Sequence, residues 1–366
     1  MPDAPKVRQY ACPGCAAAVV FEPKDGALVC PYCGRKEEIP SSQDQVVERS
    51  YEDYLRARPE SLARFTDHAQ EASCQRCGSA IVFEPPDVAG ACPFCGSSAV
   101  AQPKSADPLI APQALLPFAV AKKKATEAVG AWIRSRWFLP SALKRIYRQD
   151  SIQGVYLPFW TFDAHTTTHY TGERGEYYYE TETYTETDAQ GRTVTRTRQV
   201  RRTRWYPASG TVSRWFDDLL IAATKSLPRN RLDALEPWDL AALQNYDQAF
   251  LPGFKAQRYQ VGVAEGFELA KDAMAPQILA DIRADIGGDE QRIHHRATSY
   301  TGITFKHLLL PVWISSYTFQ KKVYQVMVNA RTCEVQGDRP WSAWKIAGLV
   351  ALIALVALVI ALLKNG

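Results

Sequence analysis

Apolar positions along this chain repeat in three different ways. From Val263 to Ile286, the residues Val263, Phe267, Ala270, Met274, Ile278, Ile282 and Ile286 recur every three or four positions, the spacing of one buried face of a long α-helix. A shorter stripe of Ala125, Val129, Trp132, Ile133 and Trp137 predicts a helix from about Lys122. Strand signals flank both: Leu115 to Val120 and Gly154 to Asp163 around the first, Phe254 to Ala256 and Leu310 to Ile314 around the second. Leu157-Pro158-Phe159-Trp160 is echoed by Leu310-Pro311-Val312-Trp313, so the order reads as a degenerate strand–helix–strand duplication. Proline donates nothing to a ladder, which predicts edge or strand-entry positions for Pro158 and Pro311. Alternation around Asn329-Ala330-Arg331-Thr332 predicts a last hairpin.

The third pattern is an unbroken apolar run, Ile346 to Leu363: six Leu, three Ile, three Val, five Ala and one Gly. As a helix it is about 27 Å long, close to a hydrocarbon core of roughly 30 Å. Trp341 and Trp344 precede it, where amphipathic rings favour the membrane interface. A core helix rarely lacks any polar residue, so 341–366 reads as a transmembrane tail anchor. Met1 to Tyr10 is polar and lacks a signal-like apolar stretch. The expectation is a single-pass protein of the bacterial inner membrane with its N-terminus and bulk in the cytosol. Ala347, Ala351, Ala354 and Ala361 share a stripe that offers a face for self-association.

One segment is polar on both faces. Glu173 to Thr187 carries Glu173, Glu176, Glu180, Glu182 and Glu186, whereas 192–206 carries six arginines and no acid. A turn at Asp188 to Arg192, with Gly191 left-handed, sets a register in which paired numbers sum to 380, Glu182 facing Arg198. This β-hairpin arm, 173–206, reads as a solvated, self-neutralising projection, a docking arm for protein, or an arginine strand for RNA or lipid.

Cysteine spacing supplies the chemistry. Cys12, Cys15, Cys30 and Cys33 are followed, each 62 positions later, by Cys74, Cys77, Cys92 and Cys95. Val20-Phe21-Glu22-Pro23 recurs as Val82-Phe83-Glu84-Pro85 at the same offset, so the unit is a tandem repeat. Each Cys-x-x-Cys knuckle presents two thiolates, and two knuckles complete a tetrahedral four-cysteine zinc site with no open position. Metal would supply most of the folding free energy of so short a unit. Disulfides do not suit a cytosolic chain. The predicted organisation is α+β multidomain: zinc ribbon 1 at 1–40, a linker with a short helix at 41–70, zinc ribbon 2 at 71–104 and an α+β globular domain at 105–340. The ribbons are expected to reach freely into the cytosol.

The formal charge of +4 falls to about zero once two four-cysteine zinc sites, each contributing −2, are included. Neither ribbon has the clustered Lys and Arg that phosphate binding needs. No phosphate loop, dinucleotide fingerprint, nucleophile elbow or His-Glu-x-x-His helix occurs, so no enzyme is expected. Asp163, His165 and His169 lie in a Thr-rich strand, where surface or packing roles outweigh a further metal site. Cys333 reads as an inert structural thiol.

Two four-cysteine ribbons, Gly154-Val155-Tyr156-Leu157-Pro158-Phe159-Trp160, the hairpin Val328 to Pro340 and a C-terminal span together resemble a bacterial family. These are the zinc-ribbon membrane proteins encoded near phage-shock protein A and flotillin-like proteins, often labelled transcription-factor-IIB-type zinc ribbon or primosomal protein N-prime-like. The resemblance implies an adaptor at the membrane in envelope stress, two structural Zn2+ ions on the eight cysteines, and phage-shock protein A-like or flotillin-like partners. The helicase label does not carry over without a nucleotide loop. That family usually has Gly where Cys333 stands. The alternative is a membrane-tethered nucleic-acid-binding zinc-ribbon protein.

Overall fold

Two strands of unusual length run antiparallel through the centre of the molecule and determine where everything else attaches. The computed structural model describes residues 10–40, 46–56, 70–73, 80–83, 89–91, 94, 98–100, 110–140, 152–187, 191–320, 322–338, 340 and 342–365. In chain order the elements are β1 (Val20–Glu22), β2 (Ala27–Val29), β3 (Lys36–Glu38), β4 (Arg49–Ser50) and α1 (Tyr51–Arg56). Next come β5 (Gln70–Ser73), β6 (Ala80–Phe83), β7 (Ala89–Ala91), β8 (Ser98–Val100), β9 (Ala114–Leu115), α2 (Lys122–Ser135), β10 (Ile152–Thr187) and β11 (Thr193–Ala222). The chain continues through α3 (Arg229–Asp233), β12 (Gln244–Asn245), β13 (Lys255–Ala256), α4 (Val263–Ile286), β14 (Glu290–Phe319), β15 (Lys322–Asn329), β16 (Val335–Gly337) and α5 (Ala343–Asn365). The fold is mixed α/β around a large, mainly antiparallel sheet.

β10 and β14 pair from Ile152↔Ser315 to Gly175↔Glu290, with Leu157 opposite Leu310. Around that pair the two halves repeat each other. β13 lies parallel to β10 at Val155 and Tyr156, and β9 lies parallel to β14 at Leu308 and Leu309. Ala223 N donates to Pro158 O at 2.9 Å, and Ala330 N to Pro311 O at 3.1 Å. The Trp160 indole donates to Val261 O at 2.8 Å, just before α4, and the Trp313 indole to Val120 O at 2.7 Å, just before α2. Each helix lead-in therefore docks on strands of the other half.

Pro158 and Pro311 are not at edges or entries, as their chemistry suggested, but inside the two central strands. Each missing N–H lies on the same side as the proline's own carbonyl. There one outer neighbour ends and the next begins: β13 gives way to β11 beside Pro158, and β9 to β15 beside Pro311. The gap in the ladder costs no bond that a neighbour could have made.

α4 buries the stripe read from the sequence, Val263, Phe267, Ala270, Met274, Ile278, Ile282 and Ile286, together with Gly266. It lies along the sheet and makes Tyr170 Oη–Asp285 (2.6 Å) and Arg214–Asp281 (2.5 Å) contacts. The hairpin of β10 and β11 is longer than the polar pattern indicated, pairing from Phe159↔Ala222 to Thr187↔Thr193. Its outer register sums to 380, with Glu182 opposite Arg198. Trp137, expected on the buried face of α2, lies past the end of that helix and is exposed. The turn after β15 holds Cys333 at φ +67°, a left-handed conformation that L residues adopt at a cost.

The segment that carries the first four cysteines does not stand free of the body. β1, β2 and β3 form a small antiparallel sheet, and Phe21 leaves it to pack edge-on against Phe250 at 5.5 Å. Phe21 N also donates to Pro252 O at 3.0 Å. Below it Phe118 stacks on Phe254 at 3.9 Å, with Tyr156 and Trp313 at the edges. An apolar ring between the knuckles joined the core because burying it is worth roughly 2 kcal/mol.

Gly154 lies under this cluster, where an added Cβ would come within 2.4 Å of the Phe254 ring. Gly154→Ala is expected to destabilise the protein by about 1–3 kcal/mol through overpacking, read as a lower thermal midpoint of the detergent-solubilised chain. An unchanged midpoint would show that the cluster yields freely.

Candidate metal centre

Cys12 and Cys15 occupy a tight turn closed by Ala16 N–Cys12 O at 2.8 Å. Cys30 and Cys33 occupy its counterpart, closed by Gly34 N–Cys30 O at 3.0 Å, where Gly34 takes φ +73°. The four Sγ atoms lie within 4.8 Å of one another, with Cys12–Cys33 and Cys15–Cys30 each at 3.4 Å. A tetrahedron with Zn–S near 2.3 Å has S···S edges of about 3.8 Å, so the donor set fits such an ion with a small outward movement.

The thiols divide the available negative charge. The Gly14 amide lowers the pKa of Cys12, and the Cys33 amide lowers that of Cys30 to about 6. The Ala17 amide favours the Cys15 thiolate, but Cys30 and burial outweigh it and push Cys15 up to about 12. Crowded thiolates repel one another, and a divalent cation removes that repulsion. Cys74, Cys77, Cys92 and Cys95 lie outside the described residues. Phe94, between the last two, is fully buried, and β6 joins the main sheet at Val82↔Ala256.

A second ionisable cluster draws on four distant segments. Asp163 sits where the pairing of β10 is interrupted on both sides. Its Oδ1 accepts from Asp218 N at 2.6 Å, and Asp218 holds φ +49°. Thr304 Oγ1 lies 2.6 Å from Asp163 Oδ2 and 2.8 Å from Glu48 Oε2. One hydroxyl proton cannot serve both oxygens, so a further proton belongs to the carboxyls. Burial, reinforced by Glu48, raises Asp163 to about 6. Lys306, itself buried, lies 2.5 Å from Asp218 and 3.0 Å from Glu48. The chain thus supplies its own cation to this carboxylate trio. His165 and His169 do not join it; both are exposed, and His169 Nδ1 bonds Thr211 Oγ1 at 2.7 Å.

No protein-family model matches the chain, and no solved structure matches it. Over 371 aligned positions it is 25% identical to a Bacillus subtilis (strain 168) protein named "Uncharacterized protein YdjG". The similarity covers 98% of each chain.

The arm settles its charges internally. Arg198 and Arg202 reach Glu182 at 3.1 and 2.6 Å, and Arg202 also reaches Glu180 at 2.5 Å. Arg201 lies over Tyr177 at 4.1 Å, Arg204 over Tyr178 at 4.9 Å, and Arg292 over Trp205 at 3.7 Å. The apolar run forms α5, which is long and apolar enough to cross a membrane and buries none of its described residues against the body. Trp341 lies outside the described residues.

Several of these groups left no mark in the sequence. Glu48, Asp218 and Lys306 carry no motif, and only the interruption of the Thr-rich alternation at Asp163 hints at them. Because the folded pKa of Asp163 lies above its ordinary 3.8, the folded state binds the proton more tightly than the unfolded one. Its contribution to stability therefore grows as pH falls through about 6. Glu48 shifts downward, so its effect is confined below its ordinary 4.5. Between about pH 8 and about pH 5, the native chain should gain about 1 kcal/mol relative to Asp163→Asn. Parallel unfolding midpoints for the two proteins across that range would contradict the shared proton.

Proposed function

We propose that the chain is a membrane-anchored zinc-ribbon adaptor that recruits protein partners to the bacterial inner membrane in envelope stress. The observation that carries the reading is α5, an apolar helix none of whose described residues is buried, at the end of a folded body whose metal-ligand set is closed. Its first turn is bonded to that body: Lys345 Nζ donates to Trp137 O at 3.0 Å and to Leu139 O at 2.8 Å. The body is cytosolic, the helix crosses once, and two Zn2+ ions occupy the two cysteine sets. Both ions are structural, since four thiolates leave no place for water or substrate. The resemblance to proteins encoded beside phage-shock protein A and flotillin-like proteins supplies the class of partner. A nucleic-acid-binding role is less well supported, because Arg198, Arg201, Arg202 and Arg204 of the arm are already held by carboxylates and rings.

Affinity purification of the full chain from detergent-solubilised membranes should recover a phage-shock protein A-like or flotillin-like protein. Recovery of neither, with zinc intact, would overturn the adaptor reading. Nucleic-acid binding that weakens steeply with salt would favour the alternative.

Zinc content tests the metal assignment separately. Two ions per chain are expected, falling to one in Cys30→Ser. Because Phe21 ties the ribbon to the core, the same variant should lower the unfolding midpoint of the main sheet as well. A metal-free protein that folds with an unchanged midpoint would refute the assignment.

A further inference from the structure

Past the end of α2, the segment Trp137-Phe138-Leu139 reaches the foot of α5. Ser342 N donates to Phe138 O at 2.8 Å, and Lys345 Nζ is satisfied by the carbonyls of Trp137 and Leu139. These bonds hold the segment at the level of residues 342–345, directly before the apolar run that starts at Ile346. The Leu139 side chain turns inward and is fully buried. The Trp137 ring turns outward, is 71% exposed, and stacks on Phe138 at 5.9 Å. Trp344, at the same level, is 89% exposed. An exposed indole on a segment whose backbone is bonded to the foot of the helix is poorly placed in water and well placed at the boundary between headgroups and acyl chains.

We infer that Trp137 and Phe138 form a second membrane contact, seating the globular body on the lipid headgroup layer of the bilayer that α5 crosses. The inference rests on the anchor reading above. The occupant is lipid because the surface continues the membrane-crossing helix at the level where its apolar run begins. The Lys345 ammonium is spent on carbonyls within the chain, so the contact relies on the rings and not on that charge. One crossing helix alone would leave the body free to swing about its axis. A ring fixed beside the helix removes that freedom and gives the ribbons and the arm a set orientation to the membrane plane.

The test uses the full chain reconstituted in phosphatidylcholine vesicles, with Trp137, Trp344 or Trp215 replaced singly by the photoreactive p-benzoylphenylalanine. Trp215 is also exposed but lies on the open face of β11, so it controls for exposure alone. Illumination should give lipid adducts at positions 137 and 344, each about tenfold above position 215. A carbonate-resistant protein labelled at 344 but not at 137, or labelled as strongly at 215, would overturn the second contact. An adduct at 137 to another copy of the chain would overturn it equally. Loss of labelling at 344 together with extraction by carbonate would instead overturn the anchor reading itself.

Discussion

The antiparallel pairing of β10 with β14 about Leu157 and Leu310 is the constraint on which the rest of the molecule depends. A side-chain period of two means that a one-residue slip would turn every buried residue of these strands outward. The indoles of Trp160 and Trp313 oppose such a slip, because each reaches a carbonyl at the entrance of a helix from the other half. A buried indole N–H without a partner costs about 1–3 kcal/mol, so a shift that broke both bonds would be strongly disfavoured. The halves are interlocked: neither α2 nor α4 can leave without breaking an indole bond to a central strand of the other half.

The arm, the apolar helix α5 and the first cysteine unit are all extensions of that centre. β10 and β14 run on together as far as Gly175, with α4 covering one face through Ile282 and Ile286. Beyond Gly175 only β10 and β11 continue, and Asp289 closes the junction by accepting from Tyr177 N at 2.7 Å. Exposed ion pairs contribute little individually. The arginine–carboxylate and arginine–ring contacts there act chiefly to keep two strongly charged strands neutral toward each other. At the opposite end, β15 and β16 lead with few intervening residues into α5, so the apolar helix inherits its position from the same sheet.

Legibility in the sequence followed locality. The α4 stripe, the hairpin register, the knuckles of the first ribbon and the apolar run each show within some thirty residues, and the structure contains all of them. What could not be read depended on neighbours far along the chain. Thr161 to Gly172 reads as a Thr-rich strand from its own residues, but that α4 packs one face of it and β14 pairs beside it could be known only from distant residues. The central place of Pro158 and Pro311 required knowing that two different strands abut beside each. Asp163, Glu48, Asp218 and Lys306 meet only because four separated segments do. Trp137 fitted a helical stripe by spacing, yet the helix ends at Ser135 and the ring faces out.

Docking of the first cysteine unit on the core changes what a metal ion held there would do for the whole protein. Each knuckle contributes one buried thiol, Cys12 or Cys30, and one exposed thiol, Cys15 or Cys33, so the four sulfurs lie on the seam between core and solvent. An ion bound there would hold β1 and β2 in place and, through them, keep Phe21 between the knuckles and the aromatic cluster of Phe118, Phe250 and Phe254. The two cysteine sets have also diverged at one equivalent position. Tyr32 in the first is 82% exposed, whereas Phe94, 62 residues later, is fully buried beside the sheet. The same knuckle position thus serves attachment in one copy and presents an aromatic ring to solvent in the other.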